Sequence, residues 1–267
     1  MSHAVEEHRQ PRRYSRSPLR EARVWLTGAS SGIGEALVPE LVARGARVAI
    51  SARRAGALEA IAARFPEGDV VPVPVDVTDR AAVRAAAAEI EARWGGIDLA
   101  VFNAGTHRPV SGLTLDAADF EALMTVNYLS VIYGVEAVVP GMLARGTGHI
   151  AGVASLAGYR ALPTAAAYGA SKAAVILALD ALRFDLAPRG IDVTVVNPGF
   201  VRTPLTDLNE FHMPMRIDAD AAARLIAHGL ERRAREIHFP ARFSWLMKTL
   251  RILPYPLYAA LVGRTKS

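Results

Sequence analysis

Six short apolar segments, at 24–27, 47–51, 70–75, 98–102, 148–153 and 191–196, alternate along the chain with longer stretches of helical spacing at 33–44, 80–94, 117–144 and 165–187. A strand, a crossover helix and a further strand in one sheet run parallel, with a right-handed connection. Strands that are apolar throughout, instead of alternating, are covered on both faces. The pattern predicts an α/β fold: a doubly wound parallel sheet with helices on either side. At 267 residues, 51% hydrophobic and without an internal repeat, the chain suits a single domain with a large core.

In such sheets ligands bind beyond the carboxyl ends of the strands, so the residues just after each strand are the candidates for chemistry. The first strand runs directly into Thr27-Gly28-Ala29-Ser30-Ser31-Gly32-Ile33-Gly34, which opens a helix. Glycines let the backbone turn tightly and approach a pyrophosphate, whose charge is met by free amides and the positive end of the helix dipole. The spacing is G-x-x-x-G-x-G. A plain strand-to-helix turn is the alternative for a glycine loop alone; its place after the first strand points to a dinucleotide.

Tyr168 and Lys172 lie four residues apart, thirteen and seventeen positions past Ser155. On a helix both side chains share a face, where an ammonium can lower the pKa of a phenol toward the working range of a proton-transfer group. Ser155 could hold the oxygen that gains or loses the proton. Alone, such a pair is equally a solvated helix face.

Charge and composition exclude other classes. The net charge of +5 sits at the ends: residues 1–23 carry six Arg against three Glu, and residues 231–267 eight Lys/Arg against two Glu, which leaves about −4 for the body. A nucleic-acid reader would place its basic face on the folded module, so no nucleic-acid partner is expected. There is no cysteine, hence no disulfide framework or thiolate metal site, and the first twenty residues lack the apolar core of a signal peptide. A cytoplasmic protein is expected. His3, His8, His107, His149, His212, His228 and His238 show no ligand spacing, so no metal is expected.

Taken in order, the glycine loop, Asn103-Ala104-Gly105 after the fourth strand, Asn127 in a long helix, Ser155 after the fifth strand, Tyr168 with Lys172, and Pro198-Gly199 after the sixth resemble the short-chain dehydrogenase/reductase family. The resemblance spans residues 24 to about 204. It implies a Rossmann fold and a nicotinamide cofactor. It further implies that Tyr168 is the catalytic acid or base, that Lys172 lowers its pKa and holds the nicotinamide ribose, and that Ser155 polarises the substrate carbonyl. Asn127 would link the lysine to a proton relay through a water. For the cofactor it implies Gly28, Ser30, Ser31, Gly32, Ile33 and Gly34 at the phosphates, and Asn103, Ala104 and Gly105 beside the adenine ribose. Asp76 and Val77 would lie near the adenine, and Pro198, Gly199, Val201 and Thr203 at the nicotinamide carboxamide. A homodimer or homotetramer is implied as well. A turn or a helix cap is the other reading for Asp76 and Asp79.

An NAD enzyme usually carries an acid at the end of the second strand; here the segment is Ser51-Ala52-Arg53-Arg54. Guanidinium groups bind phosphate oxygens, so Arg53, assisted by Arg54 or Ser51, is expected to hold a 2′-phosphate and NADP(H) to be the cofactor. The expected reaction is hydride transfer between the nicotinamide and a carbonyl or secondary alcohol. A non-catalytic NADP(H)-sensing protein is the alternative from another class.

The segment from Leu205 to Ile217, with Phe211, His212, Met213, Pro214 and Met215, is expected to form a mobile lid over an apolar substrate, with Leu156, Gly158, Tyr159, Leu162 and His107 as further pocket candidates. Boundaries are expected at 1–22 for a disordered basic tail, 23–240 for the catalytic domain and 241–267 for an apolar and basic extension. Pro254 and Pro256 within 243–262 forbid one continuous spanning helix. That extension either packs on the body or a partner subunit, or lies on a membrane surface. A membrane site would favour a long-chain keto lipid, of the 3-ketosphinganine or 3-oxoacyl type, as substrate.

Overall fold

The computed structural model describes residues 17–206, 213 and 215–263; Phe211, His212 and Pro214 of the expected lid lie outside the described residues. The chain opens with β1 (Arg23–Thr27), α1 (Gly32–Val42), β2 (Arg47–Ser51), α2 (Ala55–Ala62), β3 (Val70–Pro72), α3 (Arg80–Trp94) and β4 (Leu99–Phe102). After β4 come α4 (Ala117–Met124), a π-helical turn (Thr125–Leu129), α5 (Ser130–Arg145), β5 (Gly148–Val153), α6 (Ala166–Leu186) and β6 (Ile191–Pro198). The chain continues through the short β7 (Val201–Arg202) and β8 (Ile217–Asp218) to α7 (Ala219–Glu231), β9 (Glu236–Phe239), α8 (Ala241–Ile252) and α9 (Tyr255–Gly263).

Seven strands form one parallel sheet in the order β3-β2-β1-β4-β5-β6-β9. The order reverses between β1 and β4, which opens a crevice at their carboxyl ends. Two apolar layers hold the sheet. On one face Leu37 and Leu41 of α1 and Ile226 and Leu230 of α7 pack with Val24, Leu26 and Val48; on the other Val83 and Ile90 of α3, Val135 and Met142 of α5 and Val175 and Leu179 of α6 pack with Trp25, Ala100 and Ile150.

The six expected strands form, with changes at their ends that have local causes. The third was expected to reach residue 75 and stops at Pro72, because Pro72 and Pro74 have no N–H to donate; Val73 and Val75 still donate to Ile50 O (2.9 Å) and Ala52 O (3.1 Å). The expected helix over 117–144 is α4 and α5 joined by the π-helical turn, which contains Asn127. Asp79 is the N-cap of α3 and accepts from the amides of Ala81 and Ala82. The last sheet strand, β9, was not expected from the sequence; only Ile237 and Phe239 of its four residues are buried, too short a pattern to read.

The tail expected over 1–22 needs correction at its described end. Residues 17–22 turn onto the body: Leu19 is 2% exposed in the core, Glu21 donates to Gly45 O at 2.7 Å, and Ser17 bonds to Glu231 of α7.

The C-terminal segment forms α8 and α9. Phe243, Met247 and Leu250 of α8 pack on Leu156 and Tyr159, just past β5. Arg160 fastens the end of α8 by donating to Leu250 O, Arg251 O and Leu253 O at 2.9, 2.7 and 2.8 Å, with its guanidinium 4.1 Å from the ring centroid of Tyr258 in α9. A cation on the free carbonyls of a helix end is favourable twice, by charge and by hydrogen bonding. In Arg160→Ala, tryptic cleavage at Arg242 and Arg251 is expected to accelerate about tenfold or more. Cleavage at the wild-type rate would show that the clamp is dispensable.

Candidate functional site

The crevice at the sheet reversal is a cleft of about 590 Å³. Its floor is the glycine loop between β1 and α1. Gly28 has φ +68°, and a Cβ there would sit 2.7 Å from Ala104 Cα; a Cβ on Gly34 would sit 2.2 Å from Gly28 O. The loop is thus pressed against the start of α1 from one side and against Asn103-Ala104 from the other, and only glycine fits. Asn103 ties the two strand ends together, donating from Nδ2 to Thr27 O (3.2 Å) and Gly28 O (3.1 Å), while its own amide donates to Thr27 Oγ1 (3.1 Å). Ser30, Ser31, Gly32 and Ile33 line the cleft, and Ser31, the N-cap of α1, makes no side-chain capping bond. The positive end of the helix therefore points into an open cradle shaped for an anionic group.

Arg53 and Arg54, after β2, line one end of the cleft. Arg54 donates to Ser30 O and Ser30 Oγ, both at 3.2 Å. Asp76 faces them and accepts from the amide (3.0 Å) and hydroxyl (2.8 Å) of Thr78. Those bonds hold its carboxyl below the usual range, with a smaller contribution from Arg53. The turn reading and the cleft reading of Asp76 are thus both satisfied, and Val77 lines the cleft next to it. Ser51 does not assist the arginines. Its hydroxyl lies in the core, accepting from Trp25 Nε1 at 2.9 Å and donating to Val73 O at 2.7 Å, because strand alternation turns it to the sheet face that Trp25 occupies.

At the opposite end, Ser155, Tyr168 and Lys172 line the cleft together. Ser155 caps the short 3₁₀ turn after β5, with Oγ accepting from the amide of Ala157 at 3.1 Å. Tyr168 and Lys172 are one helical turn apart near the start of α6. Burial pushes the Tyr168 phenol above its ordinary pKa, and the hydrogen bond with Ser155 opposes that. The expected lowering by Lys172 is not found in this state of the chain. Lys172 is 4% exposed, and its ammonium donates to Val153 O at 2.9 Å and lies 5.8 Å from the centroid of the Tyr168 ring. Burial lowers its own pKa to about 8.

Asn127 lies beneath the cleft and does not line it. Its side chain is fully used: Nδ2 donates to Thr106 O (2.9 Å) and Ser171 Oγ (3.0 Å), and Oδ1 accepts from the Thr106 amide (2.7 Å). Ser171 in turn donates to Tyr168 O at 2.7 Å. The side chain straps the 103–106 segment to α6, and no bond runs from it to Lys172. Gly34 likewise supports the cradle from below. Pro198, Gly199, Val201 and Thr203 close the far wall, and a Cβ on Gly32 would lie 3.1 Å from Thr203 Cγ2, so this wall sits directly over the glycine loop.

Of the substrate-pocket candidates, His107 meets the reactive group. Its ring is edge-on to Tyr168, centroids 4.8 Å apart at 77°, and borders a second groove of about 370 Å³ that includes Pro109, Ala122 and Leu123. Leu156, Gly158, Tyr159 and Leu162 turn away from the cleft. Leu156, Tyr159 and Leu162 pack under α8, the Tyr159 hydroxyl bonds to Glu236, and Gly158 gives α6 its close approach, since a Cβ there would be 2.8 Å from the Ala173 amide. Leu205 and Thr206 are at the cleft, while Met215, with φ +56°, is exposed. Sequence reasoning missed Thr106 and Val126, which also line the cleft. Their signal was only their nearness to Gly105 and Asn127.

This geometry can hold a dinucleotide along the strand ends and place a proton-exchanging phenol beside the wall at Pro198. The chain matches the short chain dehydrogenase family over residues 22–212, and it belongs to that family. It is 36% identical over 243 residues to an uncharacterized oxidoreductase of Myxococcus xanthus, covering 90% of this chain and 96% of the relative. Among solved structures, a short chain dehydrogenase from Burkholderia cenocepacia in complex with NADP is similar at TM-score 0.79 and 30% identity, over 91% of this chain and 98% of its own. A family member from Burkholderia phymatum in complex with NAD shares the fold at TM-score 0.79 and 24% identity, over 86% and 93%. The protein is an oxidoreductase of the short-chain dehydrogenase/reductase type.

Proposed function

We propose that the chain is an NADP(H)-dependent oxidoreductase that interconverts a carbonyl compound and its secondary alcohol, with Tyr168 exchanging the proton on oxygen. The observation that carries this reading is the cleft's polarity: two arginines and no acid directly after β2 at one end, and Ser155, Tyr168 and Lys172 at the other. The glycine cradle fits a pyrophosphate: its glycines let the loop pack against Ala104 and the start of α1, which leaves the uncapped N-terminus of α1 open to an anion. When bound, the nicotinamide supplies or accepts a hydride at its ring C4.

The chain's own residues do the rest. Ser155 Oγ holds the substrate oxygen, and Tyr168 Oη delivers a proton to it. The raised pKa of Tyr168 keeps the phenol protonated at neutral pH, which suits carbonyl reduction. Lys172, released from Val153 O, binds the ribose hydroxyls and brings its positive charge to the phenol. Asn127 keeps α6 and the 103–106 segment in register, so Tyr168 stays aligned with Ser155. Arg53 binds the 2′-phosphate, with Arg54 bracing Ser30 at the cradle. A homo-oligomer joined through α5 and α6 accords with the exposed Leu143, Leu177 and Phe184 on those helices.

The test compares cofactors over a panel of ketones and aldehydes. Turnover is expected with NADPH and weakly with NADH, and Arg53→Ala is expected to raise KM for NADPH about tenfold or more while leaving NADH unchanged. Equal use of NADH by the wild type, or an unaltered KM for NADPH in the variant, contradicts the assignment.

A further inference from the structure

We propose that the outward face of α8 and α9 docks this protein on an anionic lipid surface. The two helices are two-sided. Their inner sides, through Met247 and Tyr258, are buried on the body, and Arg160 fixes them there. Their outer side carries Trp245 at 63%, Ile252 at 81% and Tyr255 at 73% exposure, followed by Leu257 and Leu261, both more than half exposed. On α8, Arg242, Trp245, Thr249 and Ile252 fall at spacings of three and four residues and form a single exposed stripe, with Arg251 exposed at its flank.

Charge decides the occupant. The described residues 237–263 contain Arg242, Lys248 and Arg251 and no Asp or Glu, and Glu236, just before them, is committed to Lys248 (2.7 Å), Asn197 (2.9 Å) and Tyr159. A two-fold contact with a second copy would set this cationic surface against itself, whereas a bilayer of anionic lipid complements it and accepts the apolar row between the charges. Trp and Tyr at the edge of such a row are the side chains that favour the headgroup level.

The position of the face gives it a purpose. Phe243 of α8 stacks on Phe200, centroids 5.3 Å apart, and a Cβ on Gly199 would lie 2.9 Å from its ring. The docked face is therefore one helix thickness, about 10 Å, from the wall of the cleft. On the reading that the cleft reduces carbonyls, this placement favours long-chain carbonyl compounds that reside in the bilayer.

The test is co-sedimentation with phosphatidylcholine vesicles, with and without phosphatidylglycerol, which needs no turnover and so fails or succeeds independently of the proposed activity. Binding is expected to the anionic vesicles only, to weaken as salt rises, and to fall about tenfold or more in Trp245→Ser/Ile252→Ser. That variant is expected to keep wild-type turnover of a water-soluble ketone. Absence of binding by the wild type, or binding undiminished in the variant, overturns the proposal. So does a wild-type dimer that the double substitution dissolves while no vesicle is bound, which would assign the face to a second copy.

Discussion

Replacing Tyr168 by Phe is expected to lower kcat about a thousandfold while leaving the affinity for NADPH within about twofold of wild type. A positioned acid or base contributes roughly 10²–10⁴ in rate, and this substitution removes only the phenolic oxygen. The ring stays packed against His107, and the helix stays fastened by Ser171 to Tyr168 O, a backbone contact that Phe preserves. A loss confined to kcat separates proton transfer from cofactor binding. Stopped-flow turnover and fluorescence titration of NADPH measure the two terms, and a variant keeping more than about a tenth of wild-type kcat contradicts the assigned role.

Lys172→Met is expected to do two things that rarely come together, lowering activity and stabilising the fold. The ammonium is buried and its pKa is lowered from 10.5 to about 8. Between those values the unfolded chain binds more protons than the native one, so stability rises with pH across that window. Below about pH 8 both states are protonated and the full cost of burying the charge is present; above about 10.5 both are neutral and it is gone. A shift of this size corresponds to on the order of 3 kcal/mol, partly offset by the bond to Val153 O. The variant is therefore expected to melt several degrees above wild type at pH 7, with the difference vanishing near pH 10.5. Its kcat/KM is expected to fall about a hundredfold or more. In the wild type, reduction is expected to decline above about pH 8, as the ammonium is lost. A lower melting temperature at pH 7 would contradict this account of Lys172.

Most of the sheet was legible because apolar strands and helical stretches differ in period, and because the first glycine loop and Asp79 carry their own local chemistry. The elements that escaped were the weakly patterned ones. Strand β9 has four residues, and β7 and β8 have two each, too few for a period to register. Of the site, the residues that touch the cleft through backbone constraint or ring chemistry were readable: Gly28, Gly32, Ser155, Tyr168, Lys172, Pro198. Ser51 was placed in the right neighbourhood but with the wrong contacts, and the bonds of Asn127 to Thr106 and Ser171 carried no sequence signal. A one-dimensional sequence does not say which way a side chain turns when two polar partners compete for it. Tyr159 and Leu162 show the same limit, since their spacing after Ser155 suggested the substrate, while α8, which starts at Ala241, claims them instead. Arg160 carried no motif, and only the folded chain brings it to the end of α8.

The central claim is that the cleft moves a hydride from NADPH to a carbonyl carbon. The most direct measurement is mass analysis of the alcohol formed from a ketone or aldehyde panel by wild-type protein and NADPH deuterated at both C4 positions. The account predicts one deuterium on the carbinol carbon of each product, with product formation lost in Tyr168→Phe. Product without deuterium, or NADPH left unoxidised across the whole panel, would contradict it.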